Sequence, residues 1–151
     1  MPKLIDCYWL LDIRDLKTLR SLLDQIIPKR QPSAIDYPFP QYLESSKKIF
    51  AHSEEIMDFL EKNQLEPYSI YWSNLDKKSD YRHIMLFYTN DGGAILGLSI
   101  TGEQPNDETV INQYLQIKRS MNSSSGCITI EESPPLNSIE FKEFCRKRFS
   151  P

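Results

Sequence analysis

Few residues in this chain could do chemistry: two histidines, three cysteines and a handful of neighbouring carboxylates. His52 and His83 have no metal-ligand spacing to each other or to Cys7, Cys127 or Cys145, and no cysteines form a paired motif. Neither a metal nor a cofactor is expected. The cysteines are odd in number, far apart and set among apolar neighbours, the pattern of reduced core thiols in the cytosol. Gly92, Gly93 and Gly97 follow Asp91, but phosphate-binding fingerprints need glycines between a strand and a helix, so turn chemistry accounts for these. Ser123 to Ser125 lie in a loop without an evident base, and no Gly-x-Ser-x-Gly elbow is present.

Carboxylates pair at Asp12 with Asp15, Glu54 with Glu55, Asp107 with Glu108, and Glu131 with Glu132. Such pairs do acid–base work only where folding brings two together in a shielded cleft that raises one pKa. Most read instead as solvated faces or charges at helix N-termini. Glu131 and Glu132 differ: they end a strand just before Pro134-Pro135, so at least one should project at the sheet's rim and meet a basic partner. Tyr68, Tyr71, Trp72 and Tyr81 flank the polar loop Asp76 to Asp80. Alternation puts Ile70 and Trp72 on one face and Tyr71 on the other, which marks Tyr71 as the exposed anchor unless a second helix layer buries it. Tyr81 is the other candidate anchor.

The elements that must position these residues follow from periodicity. Residues 4–11 place Ile5, Cys7, Trp9 and Leu11 on one face of a strand with one well-buried face, opposite Asp6, Tyr8 and Leu10. Leu16, Leu19, Leu23, Ile26 and Ile27 form a helical stripe ended by Pro28. Residues 28–40, rich in proline, read as an ordered loop in which Tyr37 to Pro40 either faces a partner or pins the loop to the core. Ser53 then opens a second helix that stops near Asn63. Strands are expected at 69–74, 83–89 and 94–100, the last two joined in a hairpin through Asn90 to Gly93. The run Ile84 to Tyr88 is apolar at every position and belongs near the middle of the sheet. Val110, Ile111, Tyr114, Ile117 and Met121 mark a third helix capped by Asn106 or Asp107. A strand at 127–131 follows, then a final helix from about Ser138 carrying Ile139, Phe141, Phe144, Cys145 and Phe149. The order β-α-α-β-β-β-α-β-α, with a central hairpin, predicts a largely antiparallel α+β domain with packed helices, spanning residues 1–151.

A compact domain of this length buries roughly 70% of its unfolded surface, and 40% apolar residues suffice to fill it. The start, Met1-Pro2-Lys3, lacks the layout of a signal peptide, and no apolar run approaches membrane-spanning length. A cytoplasmic location is expected. The net charge of -3 argues against nucleic acid or membrane as partner and favours a basic protein. The cluster Arg146-Lys147-Arg148 reads as charge complementing a helix C-terminus.

The run HIMLFYTNDGGAILGLSI from His83, followed after a helix by GCITIEESPPLNSIEFKEF, resembles immunity proteins encoded beside bacterial polymorphic or contact-dependent toxins. The likeness covers Tyr68 to Phe144 and carries over no site residue. It implies stoichiometric inhibition of a cognate toxin domain, of a kind often basic; charge balance and position in the elements, not the likeness, then suggest Glu131, Glu132, Asp107 and Glu108 as an acidic rim, with Tyr71 or Tyr81 as anchor. The alternative from another class is a small enzyme with a dispersed site drawn from Asp80, His83, Asp91 and Glu131.

Overall fold

The computed structural model describes residues 3–151; Met1 and Pro2, part of the stretch read above for a signal peptide, lie outside the described residues. The elements are β1 (Lys3–Leu11), α1 (Leu16–Ile26), β2 (Arg30–Pro32), β3 (Tyr37–Phe39), β4 (Lys48–Phe50), α2 (Ser53–Lys62) and β5 (Tyr68–Asn74), then β6 (Tyr81–Tyr88), β7 (Ala94–Gly102), α3 (Glu108–Met121), β8 (Gly126–Thr129) and α4 (Ser138–Arg146). The protein is α+β, and its long elements follow the expected order. Six strands form one antiparallel sheet, β2-β5-β6-β7-β1-β8, while β3 and β4 pair separately.

The segment read as a loop over 28–40 therefore contains two short strands. Its prolines permit this because β2 is a sheet edge and β3 belongs to a two-stranded ribbon, where a missing N–H leaves no ladder bond broken. Tyr37 is buried, and Phe39 meets Phe59 edge-to-face at 4.7 Å, so this stretch pins itself to the core. The central position of β6 is as its apolar run requires: Ile84 to Tyr88 are all buried.

The helices divide unequally between the faces. One cluster joins Ile5, Trp9, Ile70, Leu86 and Leu96 to buried side chains of α1, α2 and α3, with Trp9 stacked on Tyr114 at 5.4 Å. A smaller cluster on the other face joins Tyr8, Leu10, Phe87 and Cys127 to Phe141 and Cys145 of α4. Strand β1 thus has two buried faces, not one, because it lies between β7 and β8 and α4 packs over its second side. Helix α4 itself turns Ile139 outward, 74% exposed, although it sits in the apolar stripe. The cap of α2 is His52, one residue before Ser53, and its N–H donates to Glu55 Oε1 at 3.1 Å. Strand β8 stops at Thr129, two residues short of expectation, where Glu131 takes a left-handed backbone with φ 53°.

The hairpin turn uses its two glycines differently. Gly92 has φ 94°, which only glycine adopts readily. Gly93 is needed for space: a Cβ there would lie 2.9 Å from the Leu11 carbonyl oxygen and 3.0 Å from Ser138 Oγ. Because the first obstacle is backbone, Gly93→Val should cost about 1–3 kcal/mol and lower the melting temperature by roughly 2–10 °C. An unchanged melting curve would show that the turn tolerates the side chain.

Below this turn lies an arginine absent from the sequence reading. Arg14, 1% exposed, donates to the carbonyls of Leu60, Thr89, Gly93, Asn63 and Glu66 and lies over the Tyr88 ring at 5.3 Å. It ties the β1–α1 turn to the end of α2 and to the β6–β7 hairpin.

Candidate functional site

Antiparallel register arranges the α4 side of the sheet in rows. One row runs Ser73, His83, Ser99, Asp6 and Thr129 across β5, β6, β7, β1 and β8, and is polar throughout. Ser99 Oγ donates to Asp6 Oδ1 at 2.7 Å, and the Glu131 N–H donates to Asp6 Oδ2 at 3.2 Å. Ser73 Oγ and His83 Nδ1 are 3.5 Å apart. Burial raises the Asp6 carboxyl above its ordinary value despite those donors, because taking a charge from water costs more than two hydrogen bonds return.

The next row holds Tyr71, Met85, Gly97, Tyr8 and Cys127. A Cβ on Gly97 would sit 2.9 Å from Tyr8 Cε1 and 3.0 Å from Met85 Cε, so glycine lets both side chains lie flat across β7. Aromatic rings continue the line: Tyr71 meets Phe87 edge-on at 5.8 Å, Phe87 meets Tyr8 at 5.9 Å, and Tyr8 meets Phe144 at 6.5 Å. Arg148 closes it, 3.5 Å over the Phe144 ring. Helix α4 covers the β1–β8 half of this face, whereas at the β5 end Tyr71 is 39% exposed. Tyr71 borders a hollow of about 410 Å³ whose other wall is the segment 33–43, with Tyr42 80% exposed beside it. Gln41 holds that segment in place by accepting from the Ser69 N–H and donating to the Ser69 carbonyl, both at 2.8 Å.

The sequence-derived site residues separate into two groups. Tyr71, Glu131 and Glu132 belong to the α4 side, with Glu131 exposed beside Asp6. Tyr81, Asp107 and Glu108 belong to the helical side: Tyr81 packs on the large cluster, and Asp107 Oδ2 accepts from the N–H groups of Glu103 and Gln104. Asp107 occupies the cap position of α3, where its carbonyl accepts from the Ile111 N–H but its side chain does not bond the first turn, and Glu108 is exposed. Glu132 is held by Arg148, whose Nε donates to its Oε1 at 3.1 Å and whose Nη2 bonds its Oε2, and Thr129 also donates to it. Other carboxylates have structural work as well: Asp15 caps α1 by accepting from the Thr18 N–H at 3.0 Å, and Glu54 meets Arg20 at 3.3 Å.

Arg148 and Thr129 hold the Glu132 carboxyl down to about 2 from the ordinary 4.5. A depressed folded-state value stabilises the fold above the unfolded pKa, and that contribution fades as pH falls from about 4.5 toward 2. Wild-type protein should therefore exceed Glu132→Gln in urea stability at pH 7, with the gap closing through that window. The opposite-signed effect of Asp6 is common to both proteins and cancels. A gap that persists at pH 2 would mean that the glutamine harms the fold by some route other than lost charge.

Of the dispersed set of the enzyme alternative, Asp91 stands apart, whereas Glu131 lies beside Asp6 in the row that holds His83. Asp91 lies in the β6–β7 turn and accepts from Ser138 N and Oγ, at the opposite end of β6 from His83, while Asp80 accepts from Thr101 Oγ1 at 3.0 Å. What gathers around His83 is Asp6, Ser73 and Ser99, none of which the sequence reading selected. A lone aspartate inside an apolar strand was the available signal for Asp6; nothing local marks the serines. All three cysteines are free and buried, and burial pushes the Cys7 thiol up. Among the described residues no group of three metal-ligating side chains converges, and no helix is long and apolar enough to cross a membrane.

No known protein family matches this chain, and no curated protein or solved structure matches it either.

Proposed function

We propose that the protein is an immunity-type inhibitor that binds a cognate bacterial toxin domain in the cytoplasm and blocks it by stoichiometric contact. The observation that carries this reading is Tyr71, an exposed aromatic ring braced edge-on by Phe87 and set beside a hollow, on a sheet face that also presents the Glu131 carboxylate. A rigid aromatic at the margin of a preformed hollow is the usual form of a binding hot spot. Exposed Glu131, with net charge -3, favours a basic partner and speeds its approach by steering. Glu108, Asp107 and Tyr81 lie across the sheet and would serve a partner only if it wrapped the β7–α3 end. Binding, and not catalysis, is the expected activity.

Co-expression with the toxin-like product of the adjacent reading frame tests the proposal. The chain should protect cells from that product and not from an unrelated toxin, and the two purified proteins should form an equimolar complex. If they neither bind nor protect, the inhibitor reading is wrong, and the polar row around Asp6, Ser73, His83 and Ser99 becomes the place to look for catalysis.

A further inference from the structure

On the outer side of β8, away from Tyr71, a second hollow of about 490 Å³ opens between α3, α4 and the loop that enters β8. Lys118, Lys142, Arg146 and Arg148 all line it, with Cys145 and Ser150. Two of these cations have carboxylate partners, Arg146 with Glu143 at 3.3 Å and Arg148 with Glu132. Lys118 and Lys142 have none among the described residues, which leaves the hollow a surplus of two positive charges in an otherwise acidic chain.

The helix dipole accounts for only part of this. Lys118 and Arg146 occupy last turns, where cations are favoured, but Lys142 lies in the middle of α4 and Arg148 beyond its end. Their convergence comes from the fold: residues 147–151 cross the sheet edge, where Ile128 N–H donates to the Phe149 carbonyl at 2.8 Å, and this brings Arg148 back over β8. Gathering like charges costs stability unless an anion joins them. Beneath Gly126, which also lines the hollow, the buried Tyr114 hydroxyl has no hydrogen-bond partner among the described residues; a Cβ on Gly126 would meet it at 2.5 Å.

We infer that this hollow binds the phosphate dianion of a small phosphate ester. A phosphate monoester carries close to two negative charges at neutral pH and matches the surplus. The volume exceeds what a lone phosphate needs, so an ester substituent would rest against an open, polar surface. Lys118 and Lys142 supply the uncommitted charge; the Ser150 hydroxyl at the wall already donates to the Cys145 carbonyl at 2.7 Å.

Calorimetric titration at constant ionic strength, with AMP, inorganic phosphate and adenosine as probes, tests this independently of the toxin reading. AMP should bind more tightly than about 1 mM, inorganic phosphate more weakly, and adenosine not at all. Lys118→Gln with Lys142→Gln should weaken AMP by at least about tenfold. Lys142→Gln alone, at an exposed position, should melt no lower than wild type in the absence of ligand, which separates lost binding from lost fold. Failure of AMP to bind overturns the inference, as does unchanged affinity in the double variant. Inorganic phosphate binding as tightly as AMP would overturn the ester in favour of the free ion. A short single-stranded RNA that displaces AMP at physiological salt would overturn the small-molecule ligand.

Discussion

Arg14→Ala is expected to be the most damaging single substitution away from the proposed binding face, costing about 3–5 kcal/mol. The guanidinium is buried and has no carboxylate partner among the described residues; its donors are met by five backbone carbonyls. Replacing a buried ion pair by apolar residues is often neutral because both partners are removed together. That route is closed here, since a carbonyl cannot be mutated away. The oxygens of Asn63 and Glu66 lie near enough to the surface for water to replace the arginine, whereas those of Leu60, Thr89 and Gly93 are bonded in the interior. Gly93 keeps a donor in the Thr89 N–H at 3.1 Å, so the orphaned carbonyls of Leu60 and Thr89 set the magnitude. Arg14→Lys keeps the charge but not the planar fork that reaches three segments at once, so it should recover less than half of the loss. Urea unfolding of the three proteins decides the matter. Equal midpoints for wild type and Arg14→Ala would show that the interior carbonyls find other donors.

The second large effect is expected in binding. If the proposed inhibitor reading holds, Tyr71→Ala should weaken the complex with the toxin domain by at least about 2 kcal/mol, or roughly thirtyfold, chiefly by faster dissociation. The ring is exposed yet held by Phe87, so it enters an interface with little further loss of freedom. Glu131→Lys should act differently: as an exposed charge at the margin it should slow association at low salt and matter less at high salt. Glu132→Lys would be a poor comparison, because it also leaves Arg148 unpaired. Tyr81→Ala, on the helical side, should leave binding within about threefold. A reversed result, with Tyr81 essential and Tyr71 neutral, would move the interface to the α1–α3 side.

Local pattern carried the secondary structure well. Leu16 to Ile27 repeats with helical spacing and Asn90 to Gly93 holds the residues that a hairpin turn needs, both short-range properties, whereas 94–100, expected to alternate, is buried at every position because helices cover both faces of β7. Misreadings arose where an element's neighbours decided its role. Tyr8 and Leu10 are buried only because α4 returns over β1, and Ile139 is exposed only because α4 packs through Phe141 and Cys145 instead. The prolines of 28–40 argued against strands, yet edges and ribbons tolerate them.

The amino-acid sequence by itself determined the α+β class and the order of long elements, which depend on periods of two or 3.6 residues, and the central place of Ile84 to Tyr88, an unbroken apolar run; the exposure of Tyr71 was decided by α4, which covers only the β1–β8 half of that face. Only the tertiary structure decided which charges are free to act. Glu132 is taken by a residue sixteen positions away, Asp6 meets Ser99 across ninety-three, and Arg14 gathers carbonyls from forty-six to seventy-nine positions on. Electrostatic and hydrogen-bond partners are chosen by distance in space, which register and helix packing set after the local pattern has been satisfied.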